Sequence, residues 1–215
     1  DMDVLSASFN DDTIAWYEND GSQVFTKIDI TISADGAFSV FAVDVDGDGD
    51  MDVLSASFND DTIAWYENDG SQVFTKIDIT ISADGAYSVY AVDVDGDGDM
   101  DVLSASYADN TIAWYENDGS GGFTTTHVIT NLADGATSVY AADVDGDGDM
   151  DVLSASYSDD TISWYENDGS ESFTKINITT SAEGAHSVFA VDVDGDGDMD
   201  VLSASITDDT IAWYE

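Results

Sequence analysis

Short apolar-rich runs separated by polar turn residues recur along the whole chain, four runs to a unit. In the second unit they occupy 39–44, 52–57, 62–67 and 74–79, here called A, B, C and D in order. The runs are rich in Val, Ile, Thr and aromatic residues, and their length of about five or six residues is that of an ordinary strand. Nowhere do apolar residues recur at i, i+3, i+4 and i+7 for long enough to make a helix. The pattern predicts an all-β chain.

The unit repeats. Asp1, Asp50, Asp99, Asp149 and Asp198 open five copies of D-M-D-V-L-S-A-S at spacings of 49, 49, 50 and 49 residues, with the extra residue between Phe123 and Gly135. Between C and D lies Asn68-Asp69-Gly70, between D and the next A lies Ala83-Asp84-Gly85, and between B and C lies Asn59-Asp60-Asp61. These are tight-turn sequences, so each unit reads as four antiparallel strands joined by hairpins. Such units describe the four-stranded blades of a β-propeller. A sandwich is the rival architecture, and it gives no reason for near-identical units.

Counting runs predicts eighteen strands, or four and a half blades: a partial blade at 1–33, blades at 34–82, 83–132 and 133–181, and a partial blade at 182–215. Both ends look cut from a longer repetitive protein, so the chain is expected to be a fragment of a larger ring or a piece that another chain completes. The unpaired edges of its end blades are expected to drive self-association.

Between A and B lies an acidic stretch with the form D-x-D-x-D-G-x-x-D. Its four complete copies contain Asp44, Asp46, Asp48, Asp50 and Asp52; Asp93, Asp95, Asp97, Asp99 and Asp101; Asp143, Asp145, Asp147, Asp149 and Asp151; and Asp192, Asp194, Asp196, Asp198 and Asp200. Side-chain carboxylates fall at positions 1, 3, 5 and 9, a turn-forming glycine at 6, and position 7 can offer its main-chain carbonyl. That order suits Ca²⁺, a hard cation that takes about six to eight oxygens in a flexible shell. Five aspartates within nine residues repel one another strongly when no cation is present, so about four Ca²⁺ ions are expected, one per loop. A solvated acidic turn gives no account of four copies with one spacing. The EF-hand loop begins alike but needs a bidentate Glu at position 12, where this chain has Ser55, Ser104, Ser154 and Ser203.

Composition narrows the partners. The 215 residues carry a formal net charge of −44, with three lysines and no arginine, cysteine or proline, yet 43% are hydrophobic. So much apolar content points to a folded scaffold rather than an acidic tail. Four Ca²⁺ ions would still leave the charge near −36. Nucleic-acid binding, which depends on Lys and Arg neutralising phosphates, is not expected. No apolar run approaches the ~20 residues of a membrane helix, so no direct membrane insertion is expected. Without cysteine there is no disulfide framework. Calcium loops of the modest affinity typical of extracellular modules point to a secreted or cell-surface location.

An acidic calcium loop between the first two strands of a four-stranded unit resembles the FG-GAP and VCBS repeats, the family that builds the integrin α-subunit propeller and many bacterial extracellular propellers. The resemblance covers the entire chain and implies a Ca²⁺-containing propeller with strand A lining the central channel. The Phe-Gly and Gly-Ala-Pro landmarks are absent, and Ser-Ala-Ser ends strand B, so the chain is closer to the bacterial VCBS-type branch than to an integrin.

Candidate binding residues lie at the opposite end of the blades from the acidic loops. One B–C position reads Asn10, Asn59, Ala108, Ser158 and Thr207; one position just before strand A reads Phe38, Tyr87, Thr137 and His186. Varied side chains on a constant scaffold can form a recognition face, although drift at exposed positions gives the same pattern. Trp16, Trp65, Trp114, Trp164 and Trp213 share one place in strand C and are expected to be buried between blades. His127 and His186 have no cysteine or second histidine nearby to suggest zinc. Carboxylate pairs occur in every copy, so none singles out acid–base chemistry, and Ser-Ala-Ser lacks a nucleophile elbow. The expected function is a non-catalytic adhesion, scaffolding or binding module acting on a protein or glycan at a surface. A lectin is the first alternative and a propeller domain of a secreted enzyme the second.

Overall fold

The computed structural model describes residues 2–215, which contain strands and turns without a helix. Eighteen antiparallel strands form five sheets. The first holds β1 (Val4–Ser8), β2 (Thr13–Asn19) and β3 (Phe25–Thr31). The second holds β4 (Ala37–Val43), β5 (Asp52–Ser57), β6 (Thr62–Asn68) and β7 (Phe74–Thr80). The third holds β8 (Ala86–Val92), β9 (Asp101–Ser106), β10 (Thr111–Asn117) and β11 (Phe123–Thr130). The fourth holds β12 (Ala136–Ala142), β13 (Asp151–Ser156), β14 (Thr161–Asn167) and β15 (Phe173–Thr179). The last holds β16 (Ala185–Val191), β17 (Asp200–Ser205) and β18 (Thr210–Tyr214). Strand order follows chain order in every sheet, so all connections within sheets are hairpins, as in a propeller blade. The strand count is the one the repeats predict.

Strands of type A occupy the inner position. β4 packs on β8, β8 on β12 and β12 on β16, and serine hydroxyls link them: Val89 N donates to Ser39 Oγ at 3.3 Å, Val139 N to Ser88 Oγ at 3.4 Å and Val188 N to Ser138 Oγ at 3.3 Å. Along this inner surface Phe41, Tyr90, Tyr140 and Phe189 form a ladder with ring centroids 4.9, 4.8 and 4.6 Å apart. The last sheet does not pack on the first in the way that successive sheets pack on each other, so the arc is propeller-like and not closed.

The apolar core is divided into four clusters, one between each successive pair of sheets. Strands β5, β9 and β13 are buried along their whole length, because their Ser and Ala residues are small enough for the neighbouring sheet to approach. Ile63 and Trp65 are 0% and 2% exposed, whereas their equivalents Ile211 and Trp213 in β18 are 78% and 48% exposed. The same residues are therefore buried by the next sheet and not by their own. Of the five tryptophans expected to be buried, Trp65 and Trp114 are, Trp16 and Trp164 are half-buried and Trp213 is exposed; the Trp65 indole lies where a Cβ on Gly121 of the following sheet would stand.

Strand A starts earlier than the apolar run at 39–44. In β4, Ala37 faces Ser57 and Ser39 faces Ala56, which leaves Phe38 as the extra residue of a β-bulge. The same irregularity falls at Tyr87, Thr137 and His186. These four residues thus lie inside the inner strand rather than before it. A bulge bends the strand and re-aims a side chain that regular pleating would send elsewhere.

Candidate functional site

Two ends of the sheets carry chemistry. At one end the four acidic loops are wrapped by their own carboxylates. In the loop at 44–52, Asp44 accepts hydrogen bonds from Gly47 N at 2.8 Å and Gly49 N at 3.0 Å, Asp46 from Asp48 N at 3.3 Å, and Asp48 from Asp50 N at 2.9 Å. Gly47 and Gly49 sit at φ of +74° and +97°, a region that glycine enters without strain. The position-9 carboxylate closes the loop from the start of strand B. Asp52 accepts from Val45 N at 3.1 Å and Asn68 N at 2.7 Å, and Asp101 accepts from Val94 N at 3.0 Å and Asn117 N at 2.8 Å. Asp151 repeats this with Val144 and Asn167, while Asp200 accepts from Val193 N.

Each loop brings three carboxylate oxygens within 4.8 Å of one another: Asp44, Asp46 and Asp48; Asp93, Asp95 and Asp101; Asp143, Asp145 and Asp151; Asp192, Asp194 and Asp200. Two oxygens on opposite sides of a Ca²⁺ at ~2.3–2.6 Å would be about 4.6–5.2 Å apart, so this all-oxygen donor set fits such an ion. Positions 1 and 3 take part in every loop, and the third member is position 5 in the first loop and position 9 in the other three. Asp97, Asp147 and Asp196 at position 5, and Asp52 at position 9 of the first loop, stand outside these triads. The position-7 residues Asp50, Asp99 and Asp149 turn their side chains toward Gly70, Gly119 and Gly169 of the C–D turns.

Burial sets the electrostatics of these groups. Asp101 is pushed up to about 6 by loss of solvent, against the lowering effect of its bonds from Asn117 and Val94. Burial also raises Asp52, Asp151 and Asp95. Neighbouring loops are joined through Asn117, whose Nδ2 donates to Met100 O at 3.0 Å and to Val45 O of the preceding loop at 2.9 Å.

At the other end, the bulged residues Phe38, Tyr87, Thr137 and His186 converge on one open cavity of about 420 Å³. Phe38 and Tyr87 stack with centroids 4.1 Å apart, and the Tyr87 hydroxyl lies 3.0 Å from His186 Nε2, reaching across the fourth sheet where Thr137 is small. Thr137 is buried, and its Oγ1 is placed to donate to Ala185 O or Ala155 O at 2.9 and 3.1 Å. An outer ring of Phe9, Phe58, Tyr107, Tyr157 and Ile206 completes the wall. Sequence reasoning missed this second ring. Its signal is an aromatic at the first residue after Ser-Ala-Ser in four of five copies, where a turn would ordinarily be polar.

The variable B–C residues serve the turns. Asn59 donates to Asp35 at 2.9 Å, and Asn59, Ala108, Ser158 and Thr207 pack against Gly36, Gly85, Gly135 and Gly184. His127 stacks on Trp114 at 4.2 Å and pairs with Glu116 at 3.1 Å, remote in role from either end. The Ser-Ala-Ser serines are buried in the sheet, and Ser104 and Ser154 bond to the hydroxyls of Tyr115 and Tyr165.

Comparison with known proteins agrees with this architecture. A family model described as FG-GAP-like repeat matches residues 1–55, 44–104, 93–154 and 143–203. No curated protein sequence matches the chain. Among solved structures, the biofilm matrix protein Bap1 of V. cholerae is similar with a TM-score of 0.61 and 19% identity, over 99% of this chain and 34% of that one. A Bacteroides uniformis protein provisionally assigned as a 6-phosphogluconolactonase aligns with a TM-score of 0.68 and 14% identity, over 99% of this chain and 63% of its own. A Desulfotomaculum acetoxidans protein of unknown function aligns with a TM-score of 0.63 and 14% identity, over 99% and 65%. At these identities the likeness is one of fold, and the chain spans from a third to two thirds of these proteins.

Proposed function

Because the chain belongs to the FG-GAP-like repeat family, we propose that it is an extracellular, non-catalytic binding module whose loops are held by Ca²⁺. The observation that carries this reading is the recurrence, in all four complete loops, of three carboxylate oxygens within 4.8 Å at one end of the sheets. In the first loop Asp44, Asp46, Asp48 and Asp52 would supply side-chain oxygens and Asp50 its main-chain carbonyl; the later loops repeat the set at 93–101, 143–151 and 192–200. The ion offsets repulsion among five aspartates and stiffens the hairpin that joins an inner strand to the strand beside it. The extracellular location is supported by the family and by the biofilm matrix protein among its structural relatives. The non-catalytic reading is supported by repetition, since the acidic groups recur in every copy instead of marking one sheet.

A second reading, a lectin, is favoured by the aromatic cavity at the B–C and D–A end, since rings stack on sugars. Melting curves test the main proposal. A ligand that binds only the folded form stabilises it by about 2.7 kcal/mol per site at a hundredfold excess over Kd. Four sites would then rival the ~5–15 kcal/mol stability of a typical domain. Chelation should lower the melting temperature sharply, with Mg²⁺ a poor substitute because it demands a tighter octahedral shell. An unchanged curve in excess chelator, with metal loss verified by elemental analysis, would sink the calcium role. A glycan array on the calcium-loaded protein separates the lectin from a protein-binding module.

A further inference from the structure

We propose that the aromatic mouth binds a quaternary ammonium group, either a free cation such as choline or the trimethylated side chain of a lysine. The inference rests on reading this mouth as the binding face and adds the chemistry of its ligand. Phe38 and Tyr87 are stacked at 4.1 Å, Phe9 meets Phe38 at 5.0 Å edge-on, and Phe58 stands 5.8 Å from Phe38. The wall therefore presents several π systems around one space of about 420 Å³, and Phe9 and Phe38 are each 39% exposed. Cations are drawn to ring faces by the aromatic quadrupole, and aromatic cages for quaternary ammonium groups are the main functional use of that attraction.

Charge and hydrogen bonding both favour this occupant. Each D–A turn carries an exposed acid three residues before its cavity residue: Asp35, Asp84, Asp134 and Glu183. No lysine or arginine lies in these turns or in the B–C turns, and the three lysines are on the outer strands β3, β7 and β15. Acids without counter-charges in the turns that adjoin a concave site raise the local concentration of cations. The polar atoms of the inner ring are already committed, Tyr87 to His186 and Thr137 to main-chain carbonyls. A sugar would bring several hydroxyls to an inner ring whose polar atoms are taken, leaving the Tyr107 and Tyr157 hydroxyls of the outer ring to meet them, and each hydroxyl buried without a partner is costly. A protonated primary amine would likewise lose hydrogen bonds to water. A quaternary ammonium carries positive charge and no N–H, so it asks only for ring faces and acidic surroundings.

Isothermal titration calorimetry on the calcium-saturated chain at mildly alkaline pH tests this with choline, its neutral isostere dimethylbutanol, and methyl glucoside. Saturable choline binding is expected, with the isostere weaker by about tenfold, within the range of desolvated cation–π contacts. Phe38→Leu keeps apolar bulk and removes the ring, and should weaken choline by about threefold with an unchanged melting temperature. Tyr87→Phe keeps the ring, removes the hydroxyl bonded to His186, and should retain choline. A trimethyl-lysine peptide binding far more tightly than choline identifies a side chain as the natural source, and the reverse order identifies a free cation. Equal affinity for choline and dimethylbutanol, or no choline binding at tens of millimolar, overturns the proposal. Methyl glucoside binding that Phe38→Leu abolishes would overturn it too while leaving the mouth as the binding face. Choline binding indifferent to Phe38→Leu would overturn the mouth itself.

Discussion

Asp3 and Asp101 hold the same place in the repeat and shift in opposite directions. Asp3 is exposed, and it is lowered by hydrogen bonds from Asn19 N and the Trp16 indole, the latter at 2.8 Å. Asp101 receives equivalent backbone bonds, but burial outweighs them and carries it up to about 6. An unfolded aspartate titrates near ~3.9, so between about pH 4 and 6 the metal-free folded form binds more protons than the unfolded chain. Ionising Asp101 therefore costs the metal-free fold stability as pH rises through that window, and protonation restores it. Metal-free Asp101→Asn should show a flatter dependence of melting temperature on pH across this window than the parent. The same substitution should lower stability in Ca²⁺ at neutral pH, because it would remove a carboxylate from the proposed Ca²⁺ site; identical pH profiles would show that burial does not raise Asp101. At Gly119, with φ of +75°, an added Cβ would overlap the Asp99 carboxylate. Gly119→Ala is expected to destabilise by more than the ~1 kcal/mol ordinarily associated with glycine's backbone freedom, measured by chemical denaturation.

Hairpins depend on their neighbours to unequal degrees. Asn117 and Asn167 occupy equivalent places at the end of strand C, and each donates to the main chain of its own acidic loop, Asn117 to Met100 O and Asn167 to Met150 O. Only Asn117 also reaches the preceding loop, at Val45 O. Truncating Asn117 strands two carbonyls, one beside a buried valine, and leaving a buried acceptor unsatisfied costs about 1–3 kcal/mol. Asn117→Ala should therefore destabilise more than Asn167→Ala, and equal losses in urea denaturation would show that the inter-loop bond carries no weight. The bulges act at the same scale. A regular register would set Phe38, Tyr87, Thr137 and His186 in ordinary alternation with their strands; the inserted residue sends all four to one cavity.

Taken whole, the molecule is one interface used four times, with a half of that interface exposed at its last sheet. Ile211, Trp213, Val193 and Phe189 are 78%, 48%, 45% and 45% exposed, while Ile14, Ile63, Ile112 and Ile162, the equivalents of Ile211, are fully buried wherever a further sheet follows. Full burial of such side chains contributes about 1.5–3 kcal/mol each, and the free edge of β18 adds unpaired backbone groups. Self-association in Ca²⁺ is the expected outcome, read as a mass above that of one chain by analytical ultracentrifugation at micromolar protein. Ile211→Lys with Trp213→Lys should shift the distribution toward the monomer, and a strictly monomeric parent would show that the exposed face does not pair.

Strand number, hairpin order and the residues of the acidic loops were legible in the sequence because each is set locally: by five- to six-residue apolar runs, by Asn-Asp-Gly turns, and by the spacing of Asp44, Asp46, Asp48 and Asp52. Repetition added what a single unit would not, since four copies in one register separate a ligand pattern from chance. The variability of Phe38, Tyr87, Thr137 and His186 marked them as candidates, but nothing local showed that they share a cavity, because Tyr87 and His186 are 99 residues apart and meet only across an intervening sheet. The outer aromatic ring was missed for the same reason. Which copies of Ile63 and Ile211 are buried, and why Trp65 is hidden while Trp213 is not, were decided by tertiary packing alone, since in each case the decisive atoms belong to the next sheet.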